Sequence, residues 1–213
     1  MKLSRTKWTI ILSLAVVAAV FVFKARQSEI TQTAGEFLKI KGSPKADFKV
    51  VDFFDFQCPS CAASAEFISE YMKKYPGRMQ VEAKYYPLSG HRHSMTAAKY
   101  AECARKQGKF WEMHDKLFIN QPEWRDKESV EDDFNMFAAS INLESEPFAD
   151  CMADPATEQV ILQDKEEGKG YRIRSTPSFF VNGKFIAGRK AFESTVREFF
   201  GEPDESQESE SGA

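Results

Sequence analysis

The chain has 213 residues, of which 42% are apolar and 13% aromatic, enough for one domain of ordinary size with a substantial core. Its 29 Lys and Arg side chains stand against 32 Asp and Glu side chains, which gives a formal net charge of -3. Because no basic block stands out in this balance, nucleic acid is excluded as an expected partner.

The N-terminus carries an apolar run preceded by positive charge. Lys2, Arg5 and Lys7 come before an uncharged run over residues 8–23, a pattern typical of an export signal or a membrane anchor. As a helix the run spans roughly 24 Å, somewhat less than a hydrocarbon core of about 30 Å. The region after the run lacks a small-x-small cleavage pattern, so we expect an uncleaved signal anchor within residues 1–26. A cleaved signal and a soluble periplasmic protein are the alternative.

The charge asymmetry around the run predicts the orientation of the chain. More positive charge precedes the run than follows it, which predicts a cytoplasmic N-terminus and export of the rest of the chain. We therefore expect a single-pass protein of the inner membrane with its domain on the periplasmic side. That compartment is oxidising, so disulfide chemistry is plausible there.

A polar tether and two strands are predicted next. Residues 27–35 are polar and read as the tether, and a domain is expected over residues 36–200. Residues 37–40 are predicted to form an edge strand. Residues 48–56 are apolar and rich in Val and Phe, which predicts a buried central strand.

One acidic residue interrupts the central strand. Asp52 shares a strand face with Val50 and Phe54, so a carboxylate stands where an apolar side chain is expected. Either this face is wet, or Asp52 is a buried acid.

Two cysteines, Cys58 and Cys61, lie where the strand ends and a helical pattern begins. Cysteines at i and i+3 lie on one helix face, close enough for a disulfide. We expect Cys58 to be exposed and Cys61 to be covered. Unpaired N–H groups in the first helical turn and the positive end of the helix dipole are expected to lower the pKa of Cys58. Zinc ligands share this spacing, but Cys103 and Cys151 are isolated and form no second ligand pair. We therefore predict a redox-active dithiol and no metal site.

The middle of the chain is predicted to be helical. A second strand is expected over residues 79–87, and the period becomes helical from Ser94 for roughly 75 residues. Asp154 and Pro155 are typical of a helix start, with an N-cap and a Pro at the first position.

Within this helical region, two cysteines and the histidines have open roles. Cys103 and Cys151 are 48 positions apart, and are either two small buried hydrophobes or a structural disulfide that pins the helices. His91 and His93 are interpreted as parts of a solvated loop, and His114 as a packing residue.

The C-terminal part returns to strands. Asn182 and Gly183 predict a two-residue hairpin turn, and residues 192–200 predict an amphipathic helix. Residues 201–213 are acidic and almost without apolar side chains, so we expect a disordered tail.

Three segments in this order resemble the DsbA-like thiol-disulfide oxidoreductases. They are residues 53–61 with Cys-Pro-Ser-Cys, residues 107–115 with Phe-Trp-Glu-Met-His-Asp, and residues 176–183 with Thr-Pro. The resemblance covers about residues 36–200. It implies an α/β thioredoxin fold with a helical insertion, about residues 93–170, between the βαβ and ββα halves.

The resemblance also implies where substrate binds. In such proteins the Pro that opens the penultimate strand is cis, which implies a cis Thr176–Pro177 bond facing Cys58. The Thr176 backbone would then pair with an extended substrate segment, as an added strand does. Pro59 and Ser60 are expected to complete the substrate-binding residues.

For Asp52 the resemblance implies a catalytic role. Thioredoxin-like proteins commonly carry a buried acid beneath the second cysteine, and a desolvated carboxyl group there exchanges a proton with Cys61. The cofactor expected is none beyond the Cys58–Cys61 disulfide itself.

The expected function is an oxidase that introduces disulfides into reduced exported proteins, because a Cys58 of low pKa is a good leaving group. A reductase or isomerase of the same fold would run the exchange in reverse. A membrane-anchored chaperone or Cu(I) carrier would use the groove or the two thiolates without catalysis. The resemblance implies regeneration by a quinone-linked membrane partner, and we expect a monomer.

Overall fold

Five strands form one mixed sheet at the centre of the computed structural model, which describes residues 39–203. The strands are β1 (Ile40–Gly42), β2 (Phe48–Phe54), β3 (Met79–Tyr85), β4 (Ser178–Val181) and β5 (Lys184–Ala187), in the order β1-β3-β2-β4-β5. β2 runs parallel to β3 and antiparallel to β4, while β1 and β5 are antiparallel edge strands. The predicted α/β class and thioredoxin fold are confirmed.

Eight helices occur within the described range. They are α1 (Pro59–Lys74), α2 (Ser94–Arg105), α3 (Phe110–Ile119), α4 (Gln121–Trp124), α5 (Glu131–Ser140), α6 (Ser145–Ala153), α7 (Pro155–Gly170) and α8 (Arg189–Phe200). Six of them, α2 to α7, lie between β3 and β4. This arrangement is the predicted helical insertion between the two halves of the fold.

The two faces of the sheet are covered by different helices. On one face α1 and α8 pack together on the sheet, where Phe179 and Phe192 stack with ring centroids 3.8 Å apart. On the other face α7 approaches closely through Gly168, whose missing side chain leaves room for Phe53 and Tyr86. A Cβ on Gly168 would lie 2.8 Å from the Tyr86 ring, so only glycine fits here without movement.

The first edge strand lies later in the chain than predicted. It covers Ile40–Gly42 and pairs with β3, whereas the sequence placed it over residues 37–40, of which 37 and 38 lie outside the described range. Gly42 belongs to the strand because it pairs with Gln80 of β3, and only glycine fits there because its φ is 100° and a Cβ would lie 2.2 Å from the Met79 carbonyl oxygen. Gly42 is thus the last paired residue of β1.

Two local predictions are confirmed. Asn182 and Gly183 have φ values of 49° and 83°, which form the two-residue turn between β4 and β5. Asp154 caps α7 by accepting a hydrogen bond from the Ala156 N–H at 2.9 Å.

The termini of the chain fall largely outside the described residues. The predicted anchor, the tether and residues 204–213 of the tail are among the parts not described. Over residues 39–203, no helix has both the length and the apolar character needed to cross a membrane. The predicted tail began at residue 201, and this start is too early. The Glu202 carboxylate is held against the domain, because it accepts hydrogen bonds from Tyr71 and Tyr75 and pairs with Lys74.

A disulfide joins Cys103 of α2 to Cys151 of α6. Of the two alternatives that the sequence left open, the cross-link is the one present. Both sulfurs are buried, and Thr157 donates a hydrogen bond to the Cys151 carbonyl oxygen at 2.7 Å. The bond therefore ties two helices of the insertion together across 48 positions of sequence.

Removing this cross-link should destabilise the domain. In the double variant Cys103→Ala/Cys151→Ala we expect the free energy of unfolding to fall by about 2–4 kcal/mol, because the unfolded chain regains the freedom of a long closed loop. Urea unfolding followed by circular dichroism measures the change. The single variant Cys103→Ala should lose nearly as much, since it breaks the same bond. A double variant as stable as the unmodified protein would contradict the expectation.

Candidate active site

The dithiol lies at the point where β2 ends and α1 begins. Cys58 is the N-cap of α1, with an extended backbone (φ -78°, ψ 119°), and Pro59 occupies the first helical position. The Cys58 carbonyl accepts hydrogen bonds from the N–H groups of Cys61 and Ala62. Both cysteines are free thiols, and they lie on one face of the first helical turn.

The loop before β4 covers the first cysteine. The Thr176–Pro177 bond is cis, as the resemblance implied, and the Cys58 sulfur lies 3.5 Å from the Thr176 carbonyl oxygen. Cys58 is only 8% exposed, so the expectation of an exposed first cysteine is wrong. Pro59 and Ser60, the other residues expected to bind substrate, are exposed beside it.

The two thiols have opposite acidities. The Cys61 thiol donates a hydrogen bond to the Cys58 sulfur, and this contact does most to lower the pKa of Cys58, to about 6. The backbone N–H groups of Cys61 and Ser60 act in the same direction, and burial opposes them. Burial raises the pKa of Cys61 well above its ordinary value. At neutral pH the pair is therefore a Cys58 thiolate beside a Cys61 thiol.

Asp52 is a buried acid beneath the dithiol, and the alternative of a wet sheet face is wrong. It is 6% exposed, and its register partners are Ala83 on β3 and Phe179 on β4. Its Oδ1 atom has no hydrogen-bond partner in the described part of the chain. Burial first, and then the Cys58 charge, raise the pKa of Asp52 to about 8. The carboxyl group is thus largely protonated at neutral pH and can give or take a proton.

A second aspartate, Asp55, holds the loop that carries the dithiol. Its carboxylate accepts hydrogen bonds from the N–H groups of Gln57 and Leu88, both at 2.8 Å, and from the Ser94 hydroxyl. The His91 Nδ1 atom lies 2.8 Å from the same carboxylate. Sequence reasoning assigned no role to Asp55, although it stands only three residues before Cys58. With four neighbours and 2% exposure, it is a fixed anchor for the turn.

Two glutamine side chains complete the support. Gln121 donates to the carbonyl oxygens of Phe56 and Cys58, at 2.7 and 3.0 Å. Gln57 donates to the Arg125 carbonyl and accepts from the His93 N–H. The helical insertion thus contacts the dithiol turn directly, a role that periodicity along α4 could not indicate.

The histidines also differ from their interpretation as a solvated loop. His93 is 5% exposed, with its Nε2 atom 2.7 Å from the Lys127 carbonyl oxygen, and His91 contacts Asp55. His114 lies in the aromatic core, as expected, with Nδ1 2.9 Å from Asp115. Over residues 39–203, no group of three or more His, Cys, Asp or Glu side chains is arranged to bind a metal ion.

A family model described as thioredoxin matches residues 38–198. Among curated proteins, the chain is 33% identical over 146 residues to the Na(+)/H(+) antiporter NhaA 3 of Salinispora tropica. That match covers 68% of this chain and 22% of the antiporter, so the chain spans about a fifth of the length of the curated relatives it matches.

Solved structures of similar fold include a thioredoxin-like oxidoreductase from Silicibacter pomeroyi, with a TM-score of 0.61 and 24% identity over 77% of this chain and 92% of that one. BdbD from Bacillus subtilis has a TM-score of 0.65 and 22% identity, over 77% and 93% of the two chains. Wolbachia pipientis alpha-DsbA1 also has a TM-score of 0.65 and 22% identity, over 76% and 90%. At these identities, the likeness establishes a shared fold.

The acidity of Cys58 can be tested by alkylation. We expect the rate of reaction of the reduced protein with iodoacetamide to rise with pH around a midpoint of about 6. The lowered pKa of Cys58 means that its thiolate stabilises the reduced protein. This stabilisation is complete above the ordinary thiol pKa of about 8.5 and is lost as the pH falls through about 6. In Cys61→Ala the midpoint should move upward, since the main hydrogen-bond donor is removed. A midpoint of the unmodified protein between 8 and 9 would refute the assignment.

The buried Asp52 should make stability depend on pH. The folded protein keeps this carboxyl protonated up to about 8, whereas the unfolded chain ionises it above about 4. The stability associated with the raised pKa is therefore full below about 4 and is lost as pH rises through 8. We expect Asp52→Asn to exceed the unmodified protein in free energy of unfolding by about 2 kcal/mol or more at pH 8, and to match it near pH 4.

Urea unfolding of the oxidised proteins at pH 4, 6 and 8 measures this difference. The matched control is Asp126→Asn, the same chemical change at a side chain that is 82% exposed. Its stability should follow that of the unmodified protein at every pH. Parallel curves for Asp52→Asn and the unmodified protein would rule out a buried carboxyl group of raised pKa.

Proposed function

The chain belongs to the thioredoxin family, and on that premise we propose that it is an oxidase that passes the Cys58–Cys61 disulfide to reduced exported proteins. The coarser assignment, a thiol–disulfide exchange enzyme, is confirmed by family membership together with the dithiol at the helix start. We propose in addition the direction of exchange, the class of substrates and the location of the protein.

The observation that carries the proposal is the stabilised Cys58 thiolate. The Cys61 thiol and the backbone N–H groups of Cys61 and Ser60 favour its charged form, and the pKa is lowered to about 6. Stabilising this thiolate stabilises the reduced enzyme, so that the oxidised enzyme tends to give its disulfide away. The same charge makes Cys58 a good leaving group when substrate is released.

The exchange then proceeds in two steps. A substrate thiolate attacks the Cys58 sulfur; a mixed disulfide forms, the Cys58–Cys61 bond breaks, and Cys61 takes the electron pair and a proton from Asp52. A second substrate thiolate attacks the sulfur of the first, which forms the substrate disulfide and releases the Cys58 thiolate. Two electrons have passed from substrate to enzyme, and Asp52 must recover its proton.

The Thr176 backbone is the proposed substrate contact. Its carbonyl lies 3.5 Å from the Cys58 sulfur, at the start of a loop leading into β4. An extended segment on either side of the substrate cysteine would pair with this backbone, as a strand added to a sheet does. Pro59 and Ser60 are exposed beside it and would contact the other side of the segment.

We further propose a periplasmic domain held to the inner membrane by the anchor within residues 1–26. The Cys103–Cys151 disulfide supports this location, because structural disulfides persist in oxidising compartments. There a quinone-linked membrane protein would reoxidise the dithiol. Transport is not part of the proposal, because the chain covers only 22% of the antiporter that it resembles.

The reduction potential of the dithiol tests the direction of exchange. We expect a value above about -200 mV, more oxidising than the roughly -270 mV of a thioredoxin, because the reduced form is stabilised. The protein is equilibrated with glutathione buffers, and the oxidised fraction is measured by thiol modification and mass spectrometry. In the control variant Cys103→Ala/Cys151→Ala, only the Cys58–Cys61 pair can titrate.

The potential tests the direction of exchange, and peptide trapping tests Cys58 as the sulfur attacked. A potential near -270 mV would overturn the oxidase proposal and favour a reductase. In Cys61→Ala the thiol that would break a mixed disulfide at Cys58 is missing, so Cys58 should form stable mixed disulfides with a reduced peptide in the presence of oxidised glutathione. Failure to trap any peptide at Cys58 would contradict substrate attack at this sulfur.

A further inference from the structure

One end of the sheet is partly open on the side that faces α7. Phe179 of β4 stacks on α8, so its neighbour Phe180 points to the opposite side of the sheet. On that side α7 lies over β3, where Glu167 pairs with Lys84. The outer strand β5 is left open there, because Phe185, the register partner of Phe180, is 45% exposed.

Three aromatic rings occupy this open part of the sheet and contact one another. The ring centroids of Phe180 and Phe185 are 5.4 Å apart, and those of Tyr171 and Phe180 are 4.8 Å apart. Tyr171, which follows the end of α7, is 53% exposed. Val51 of β2 pairs with Phe180 and is half-buried beside it. We call Val51, Tyr171, Phe180 and Phe185 the aromatic face.

The aromatic face differs from the other exposed apolar positions because its members are contiguous. Over residues 39–203, the other large apolar side chains with substantial exposure are Ile119, Met136 and Phe199, one each on α3, α5 and α8. Single exposed apolar side chains are normal on a protein surface, whereas a contiguous exposed patch marks an interaction site. The aromatic face is therefore a candidate interaction surface.

Three positive charges without counterions flank the aromatic face. Lys49 lies two residues before Val51, on the same side of β2. Arg172 directly follows Tyr171, and Arg174 comes two residues later. All three basic side chains are exposed, and none forms an ion pair with another residue of the described range. In a chain of net charge -3, such a set of unpaired cations indicates an anionic partner.

A membrane surface matches both the rings and the charges. Aromatic rings favour the headgroup level of a bilayer, and Lys and Arg favour anionic headgroups. The acids at the end of α7, Glu166 and Glu167, already pair with lysines of this chain and do not offset the three cations. A second copy of the chain fits less well, because a two-fold contact here would bring Arg172 and Arg174 of both copies together.

We propose that the aromatic face docks on the surface of a membrane that contains anionic lipids. Tyr171 and Phe185 lie at the headgroup level in the docked state, and Lys49, Arg172 and Arg174 contact the lipid phosphate groups. Of the function proposed above, the docking proposal takes only the location at a membrane, and it holds for either direction of exchange.

Docking through this face would orient the dithiol. Thr176 comes two residues after Arg174, and its carbonyl oxygen lies 3.5 Å from the Cys58 sulfur. The connection between the aromatic face and the dithiol is therefore short. A domain docked in this way holds the dithiol near the lipid surface, within reach of a membrane-embedded redox partner. An anchor keeps a domain near the membrane, and a docking face decides which side of the domain meets the lipid.

Hydroxyl-radical footprinting of the full chain in lipid vesicles tests the proposal. One set of vesicles contains phosphatidylcholine alone, and the other contains equal parts of phosphatidylcholine and phosphatidylglycerol. Mass spectrometry gives the rate at which each aromatic side chain is oxidised. We expect Tyr171 and Phe185 to be oxidised at least about threefold more slowly in the anionic vesicles, because the cations favour the docked state there. Phe199 on α8, which is 38% exposed, should be oxidised equally fast in both.

A pair of double variants separates the docking face from net charge. Each cation favours an anionic surface by about fivefold, so Arg172→Gln/Arg174→Gln should weaken docking about 25-fold and restore the oxidation of both rings. The matched control is Lys73→Gln/Lys99→Gln, the same change of net charge at lysines of α1 and α2 that also form no ion pair within the described residues. In this control the protection of the rings should remain.

Two results would overturn the docking proposal. One is equal oxidation of Tyr171 and Phe185 in the two kinds of vesicle, which is also the result expected if the face serves a partner protein, because the vesicles contain none. The other is an equal response of the two double variants, which would reduce the effect to net charge. Sedimentation of the vesicles reports attachment separately, so a chain that is attached to both kinds without protection of the rings keeps the anchor and loses the docking face. The reduction potential does not enter these measurements, and the oxidase proposal stands or falls independently.

Discussion

The hydrogen bond between the two active-site sulfurs is the interaction on which the chemistry depends. It exists because a cysteine N-cap and a cysteine three residues later share one face of the first turn of α1. The donor, Cys61, is 2% exposed and keeps its proton, and the acceptor, Cys58, loses its own at a pKa of about 6. One helix turn thus divides two identical side chains into a nucleophile and a proton carrier. The sheet contributes Asp52 beneath them, so the acid that exchanges the proton lies close to the two sulfurs that exchange the electron pair.

Such a division requires a turn that does not move, and the helical insertion supplies it. Asp55 collects donors from both sides of the turn, and Gln121 holds the Phe56 and Cys58 carbonyl oxygens. The contacts of Asp55 involve a charged carboxylate, and Gln121 donates two hydrogen bonds from one side chain. Buried hydrogen bonds of these kinds hold the geometry of a site most firmly. The insertion is therefore part of the active site as much as α1 is. The Cys103–Cys151 disulfide, which joins two of its helices, stiffens the body that carries Gln121.

Features that depend on residues close in sequence could be predicted, and features that depend on residues far apart in sequence could not. The β2–dithiol–α1 order, the Asn182–Gly183 turn and the Asp154 cap depend on neighbours within four residues, and they were predictable from residue type and spacing. The exposure of Cys58 was not, because the carbonyl that covers it belongs to Thr176, 118 positions later. The role of Asp55 was hidden for the same reason: apart from the Gln57 N–H, its donors come from residues 33 to 39 positions away. Periodicity reports which face of an element is buried, and it does not report which polar groups meet there.

Asp52 shows how the fold trades stability for chemistry. A carboxyl group on this sheet face, paired with Ala83 and Phe179, is costly to ionise, and an apolar residue would pack there without that penalty. The penalty is useful because it holds the pKa near that at which a proton can move either way at neutral pH. A buried acid of this kind works repeatedly only if its proton is replaced after each turnover, and both the acid and Cys61 are almost fully covered. The same packing that raises the pKa of Asp52 therefore also restricts the access of solvent to its proton.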